Sequence, residues 1–314
     1  MKGEAAPRML RRWLQAMAWA VLLVLLPPAA RAVDDRHVLV LGRISDDPAA
    51  HYDQLKALLD YVVPRMREVG ITEGRVLMAR DAQQMASYLR RGRVDWVTET
   101  TSTAVQLQQR AGARLLLLTE RSGVSRYHTV FFTRRDSPVR RIEDLRGRTV
   151  AMQSTASTSA YMVPMITLLE AGLEPEILLG PDERPSPGRI GYLFARSELN
   201  ISVWVQKGLV DAGVFSNLDW EDPQRTPPAL RADLRIIHQT PEYPRALELV
   251  RADLRPEVEN RLREVLLQAA DDPEAREALR LFFGTSRFLP VDARLEQALD
   301  GLRAGVARVR AEVE

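Results

Sequence analysis

Gln153-Ser154-Thr155-Ala156-Ser157-Thr158-Ser159-Ala160-Tyr161 crowds five serine and threonine hydroxyls into the place where a strand hands over to a helix. Thr149-Val150-Ala151-Met152 before it reads as a short buried strand. Tyr161 to Leu169 after it carries apolar residues at helical spacing until Gly172 stops the run. The hydroxyls are therefore expected at a helix N-terminus, where the first backbone N–H groups lack intrahelical acceptors and the macrodipole is positive. Such a site holds an oxyanion without needing a formal cation. An ordinary N-cap with surplus polar residues is the competing reading, because serine and threonine are favoured caps in any case.

Outward from this turn, strand and helix alternate almost to the end of the chain. Upstream, the expected units are strand 37–42, a helix begun near Asp47-Pro48, strand 75–79, helix 82–91, strand 95–98, helix 103–111 and strand 114–119. This alternation argues for an open α/β sheet covered on both faces. Tyr127 to Thr133 reads as a longer strand crossing between two lobes. Downstream come strand 176–179, a Pro- and Gly-rich surface loop over 180–191, helix 197–207 and strand 212–215. Leu234 to Gln239 reads as a second crossing strand, and the tail as helices covering the first lobe. The expected division is 33–130 with 236–314 as lobe 1, and 131–235 as lobe 2.

Residues 1–32 have the form of a secretory signal peptide: Lys2, Arg8, Arg11 and Arg12, an apolar run from Trp13 to Leu26, two prolines, and Ala30-Arg31-Ala32 as the cleavage motif. The apolar run is short for a membrane span, which takes about 20 residues, so cleavage is favoured over a retained anchor. The mature chain would begin at Val33, outside the cytoplasm, in the periplasm of a Gram-negative cell. The leader holds five basic side chains and one acid, so the formal charge of +2 falls to about −2 once it is set aside. No clustered basic face remains to suggest nucleic-acid binding. The abundant arginine is interleaved with acids and takes no functional reading from the sequence. With no cysteine there are neither disulfides nor a thiol nucleophile. His37, His51, His128 and His238 show no metal-ligand spacing. The acidic pairs Asp46-Asp47 and Asp271-Asp272 precede proline at helix starts and read as caps. No cofactor, metal or catalytic constellation is expected, and the protein is read as not an enzyme.

Three segments then carry a resemblance. Arg134-Arg135-Asp136-Ser137-Pro138, Ile142 to Ala151 and Ser157-Thr158-Ser159-Ala160-Tyr161-Met162-Val163-Pro164 resemble a block of the phosphate/phosphite/phosphonate-binding proteins of ABC importers. Trp204 to Gly213, with its Val210-Asp211-Ala212, and Arg93-Val94-Asp95-Trp96 are similar to two further segments of that family, in the same order. The resemblance implies a type II periplasmic-binding-protein fold, with two α/β lobes, a hinge of two crossing strands, C-terminal helices on lobe 1, and a ligand clamped between the lobes.

It further implies that Ser157, Thr158 and Ser159, with Tyr161 beside them, hold the oxygens of a small oxyanion from lobe 2. Glu99, Thr100, Thr101 and Ser102 would form the facing loop of lobe 1, with Glu99 either receiving a ligand proton or amine or standing solvated at a strand end. Tyr52 would donate its phenol or pack under the sheet. Ser197, Asn217 and Asp219 would add polar groups to the cleft. A histidine usual in relatives is missing from Ser197-Glu198-Leu199-Asn200, which leaves the choice among phosphate, phosphite and phosphonate open. The expected partners are the oxyanion and an ABC permease, with a monomeric receptor. A sensory subunit serving a histidine kinase or chemoreceptor would use the same clamp.

Overall fold

The computed structural model describes residues 35–45 and 47–313; the leader expected over 1–32 lies outside them, as does Asp46. Strand β1 (Val38–Ile44) is followed by α1 (Pro48–Val62), β2 (Glu73–Ala79), α2 (Ala82–Arg90), β3 (Trp96–Thr100), α3 (Thr101–Ala111) and β4 (Arg114–Arg121). Asp47 and Asp81 cap α1 and α2 by accepting from Ala50 N–H and Gln84 N–H, and Pro48 takes the first helical position, where its missing N–H costs nothing. Two short stretches follow, β5 (Arg126–Tyr127) and β6 (Thr129–Arg134). The second α/β unit contains β7 (Thr149–Met152), a π turn (Thr158–Met162), α4 (Val163–Glu170), β8 (Pro175–Ile177), β9 (Ile190–Phe194), α5 (Glu198–Gln206), β10 (Ala212–Ser216), α6 (Asn217–Glu221), α7 (Pro228–Arg231) and β11 (Leu234–Gln239). The chain returns through β12 (Tyr243–Pro244) to β13 (Ala246–Val250), α8 (Pro256–Gln268), α9 (Arg276–Leu281), β14 (Thr285–Leu289) and α10 (Ala293–Glu312).

These strands form two six-stranded sheets, β14-β4-β13-β3-β1-β2 and β11-β6-β10-β7-β9-β8, and β12 pairs with β5 between them. In each sheet the strands nearest the start of the unit run parallel, and the strands after each hinge passage run antiparallel to them. The parallel strands are buried on both faces: Leu39, Leu41, Trp96, Val97, Val150 and Ala151 are fully enclosed.

Four expectations need correction. Leu234–Gln239 does not cross between lobes; it pairs antiparallel with β6 inside the second sheet. The crossing is made by two residues on each side, Tyr243 opposite Tyr127 and Pro244 opposite Arg126, and we place the lobe boundary at this ladder, outside residues 131 and 235. Ile190–Phe194 is a strand, expected as the end of a loop and the gap after it, because a Pro- and Gly-rich stretch runs directly into it. Gly191 leaves room for Leu178, whose side chain a β-carbon there would push aside. The tail is not purely helical, since β13 fills the centre of the first sheet and β14 its edge. Finally, α8 and α9 cover lobe 1, whereas α10 lies over α3 of lobe 1 and α4 of lobe 2. Leu295, Leu299, Val306 and Val309 join one hydrophobic cluster with Val105 and Met165.

Candidate functional site

In open α/β sheets ligands settle beyond the carboxyl ends of the parallel strands, where the connections diverge. All but Tyr161 and Tyr52 of the residues expected at the site fall within a few residues of such an end: Glu99 and Thr100 close β3, the hydroxyl turn follows β7, Ser197 follows β9, and Asn217 and Asp219 follow β10. Tyr161 lies deeper, buried beside Tyr192 and Phe194 in the core of lobe 2. Tyr52 stands near the start of α1 and is 46% exposed, so it does not pack under the sheet.

The hydroxyl turn sits within the first helical turn. Ser157 is the N-cap, its hydroxyl accepting from Ala160 N–H at 3.0 Å. Thr158 and Ser159 already belong to the π turn and are buried. Opposite them there is no loop: β3 ends at Thr100 and α3 begins at Thr101. Ser102 therefore lies in the first turn of α3, and its N–H donates across the cleft to Thr158 Oγ1 at 3.0 Å, while the two hydroxyls share a hydrogen bond of 2.7 Å. Two helix N-termini, one from each lobe, thus meet at a single hydroxyl pair. Both present positive macrodipole ends, an arrangement that is favourable only with a negative or strongly accepting group between them.

The hinge ladder touches the same point. Thr129 Oγ1 donates to Ser159 O at 2.9 Å and pairs with Tyr243 Oη at 2.7 Å. The Tyr127 and Tyr243 rings lie 4.8 Å apart. Burial pushes the Tyr127 phenol up to about 12 against the opposing effect of its hydrogen bond with Ser159. Thr101 donates to the carbonyl of Pro244, and Asn217 exchanges hydrogen bonds with the His128 backbone at 2.9 and 3.0 Å. Thr101 and Asn217 thus tie each lobe to the hinge.

Asp219 accepts from Ser216 Oγ at 2.5 Å in a capping box. Burial raises its proton affinity despite that bond. Ser197 caps α5 by accepting from Asn200 N–H at 3.2 Å. Glu99 is 4% exposed and so is not a solvated strand end. Its carboxylate accepts from Ile44 N–H at 2.6 Å and from Thr100 N–H, joining the ends of β1 and β3. Burial raises its proton affinity, opposed by Arg43, by those two hydrogen bonds and by Arg121.

Sequence reading passed over the arginines around Glu99. Arg43 and Arg121 approach the Phe283 ring at 4.3 and 4.6 Å, and Arg245 donates to Arg121 O at 2.7 Å. Glu248, fully buried, accepts from Trp96 Nε1, Thr98 Oγ1 and Thr119 Oγ1 at 2.6 to 2.8 Å. The available signal was weak: Arg43 and Arg121 stand 78 residues apart, Arg245 follows 124 residues later, and no local motif links them. The two Val-Asp motifs prove to have one structural task in common. Asp95 accepts from Val40 N–H, and Asp211 accepts from Thr149 N–H and Oγ1, so Asp95 anchors β1 and Asp211 anchors β7.

Among the described residues there is no group of three or more His, Cys, Asp or Glu arranged to hold a metal, and no helix is long and apolar enough to cross a membrane. A family model for the periplasmic substrate-binding protein of phosphonate ABC transporters matches residues 44–295. XAC2383 from Xanthomonas citri bound to chloride ion is 55% identical, the match covering 88% of this chain and 100% of that one with a TM-score of 0.85. The same protein bound to ATP gives 54% identity, the same coverage and a TM-score of 0.84. PhnD1 from Prochlorococcus marinus in complex with methylphosphonate, 16% identical over 88% of this chain and 100% of that one, shares the fold at a TM-score of 0.63. With its two lobes, its hinge ladder and the Ser-Thr-Ser turn at their meeting point, the chain belongs to the family of periplasmic phosphonate-binding, substrate-binding proteins of ABC transporters.

Proposed function

We propose that this protein is an extracytoplasmic receptor whose lobes close on a small phosphorus oxyanion, a phosphate, phosphite or phosphonate group, and deliver it to an ABC permease. The observation that carries this reading is the pairing of Thr158 with Ser102, which brings two helix N-termini and a set of hydroxyl donors to one point between the lobes. A tetrahedral oxyanion inserted there would accept from Ser102 N–H and from the hydroxyls of Ser157, Thr158 and Ser159, touching both lobes at once. A ligand with contacts to both lobes stabilises the closed state by its differential affinity. Two forms of a close relative, one bound to chloride and one to ATP, support an anion site that accepts phosphoryl groups. The leader expected over residues 1–32 would place the receptor outside the inner membrane, and nothing in the reading requires catalysis or more than one copy.

The test is a thermal-shift series with phosphate, phosphite, methylphosphonate and aminoethylphosphonate, with sulfate as the control. A ligand at 100 times its dissociation constant adds about 2.7 kcal/mol, which for a chain of this size raises Tm by roughly 5–10 °C. No shift from any phosphorus oxyanion would overturn the assignment.

A further inference from the structure

The hydroxyl turn and the two helix N-termini are sufficient for one tetrahedral anion, yet lobe 1 holds more cationic groups than such a ligand needs. Arg43 at the end of β1 and Arg121 at the end of β4 approach the same Phe283 ring. Arg121 is more than nine-tenths buried. Each guanidinium spends one terminal nitrogen on Thr98, Arg43 on its carbonyl at 3.5 Å and Arg121 on its hydroxyl at 3.4 Å. The Nε of both, and Oγ1 of Thr100 two residues along β3 from Thr98, are buried without a hydrogen-bond partner. Three polar groups left unsatisfied at one corner are costly, since each forfeits its hydration. Phe283 itself is held at a φ of 55°, in the left-handed region that a bulky residue rarely adopts.

The acids around this corner offset its charge in part but give no hydrogen bond to the unpaired Nε groups. Glu99 and Glu248 face it from lobe 1, and Asp219 faces Arg245 from lobe 2. Burial raises the proton affinity of all three; Arg43 and Arg245 repel the Arg121 charge, and Glu248 and Glu99 attract it. The corner also adjoins the oxyanion turn: Thr100 ends β3 and runs directly into α3, whose Ser102 bonds Thr158.

We infer that Arg43, Arg121 and Thr100 form a second phosphoryl subsite on lobe 1, so that the preferred ligand of this clamp is a di- or triphosphate rather than a single phosphate or phosphonate. This rests on the oxyanion reading of the Ser157–Ser159 turn and extends it. One phosphoryl group sits at the turn; the next is bridged to the arginine Nε groups and the Thr100 hydroxyl, where charge-assisted hydrogen bonds are about twice as strong as neutral ones.

Titration calorimetry on the purified protein with orthophosphate, methylphosphonate, pyrophosphate and tripolyphosphate tests it. The wild type is expected to bind pyrophosphate at least about tenfold more tightly than orthophosphate, and Arg121→Gln to reduce that margin to about threefold or less while orthophosphate affinity stays within about threefold. Arg43 is only half-buried, so Arg43→Gln repeats the measurement should Arg121→Gln fail to fold. Equal wild-type affinity for orthophosphate and pyrophosphate, or a margin that survives the folded variants, overturns the second subsite and leaves the oxyanion reading standing. No binding of any of the four anions overturns both.

Discussion

Replacing Thr158 by valine keeps the volume of the side chain and removes only its hydroxyl, which makes the contact between lobes directly accountable. Thr158 and Ser102 are each 1% exposed, so no water substitutes while the lobes stay together. The Ser102 N–H lies in the first turn of α3, where there is no intrahelical acceptor. In Thr158→Val the closed form leaves that donor unpaired and also loses the hydroxyl–hydroxyl bond, whereas the open form hydrates both. An unsatisfied buried donor costs about 1–3 kcal/mol and a lost neutral bond about 1 kcal/mol, so the closed form should weaken by about 2–4 kcal/mol overall. The ratio of open to closed molecules then rises by about 30- to 900-fold.

Because the chain has no cysteine, Glu68→Cys on lobe 1 and Glu174→Cys on lobe 2, both exposed positions, give a single dye pair for energy transfer between the lobes. The expected result is a shift to longer separations in Thr158→Val and none in Thr158→Ser, which retains the hydroxyl. A Thr158→Val distribution indistinguishable from wild type would refute the claim that this hydroxyl holds the lobes together. Equal opening in the valine and serine variants would assign the effect to packing.

Two further outcomes follow from other contacts. Burial holds the Glu248 carboxyl above its ordinary value despite bonds from Thr119, Thr98 and Trp96 and the nearby Arg121. The fold therefore favours its protonated form, and its contribution is fully present below the unfolded value of about 4.3 and is lost as pH rises through the folded one. Glu248→Gln has no proton to lose, so its Tm minus that of wild type should increase from pH 4 to pH 8; a flat or falling difference across a scanning-fluorimetry series would sink the argument. On α10, a β-carbon at Gly305 would lie 2.7–2.9 Å from three carbons of Ile166 on lobe 2, so Gly305→Val should cost about 1–3 kcal/mol by overpacking. The same dye pair should report wider lobes in this variant, with recovery in Gly305→Val/Ile166→Ala, and unchanged spacing would show that α10 yields instead.

How much of this was legible depended on whether the deciding interaction was local. The parallel strands announced themselves as apolar runs because helices cover both of their faces, and Asp47-Pro48 announced a helix because capping is settled within three residues. The hydroxyl turn was legible for the same reason. The strand β13 was missed because Glu248 interrupts its apolar run, and nothing near it in sequence reveals that Trp96, Thr98 and Thr119 will satisfy that carboxylate. β9 was hidden by Gly191, whose purpose is the close approach of Leu178. The arginine corner was the least legible: Arg43 and Arg121 stand far apart in the chain, and only the pairing of β4 with β13, β13 with β3 and β3 with β1 brings them to one ring.

The two lobes repeat one construction, and the difference between them accounts for the division of labour. In each, an aspartate ahead of a central strand holds the backbone of the strand beside it: Asp95 on Val40 and Asp211 on Thr149. This locks the parallel strands in register and aims the helices that follow them at the cleft. What differs is the chemistry placed around the cleft. Lobe 2 supplies short hydroxyls at Ser157 to Ser159, which cost little to desolvate and can hold one anion through neutral donors. Lobe 1 supplies guanidiniums flanking Phe283, offset in part by Glu99 and Glu248 but with their Nε groups unpaired. Closing the jaws on nothing leaves two positive helix ends facing one another across the Ser102–Thr158 bond. Closing them on an anion relieves that repulsion on both sides at once, so the ligand that best stabilises the closed state is one whose charge reaches from the turn to the arginines.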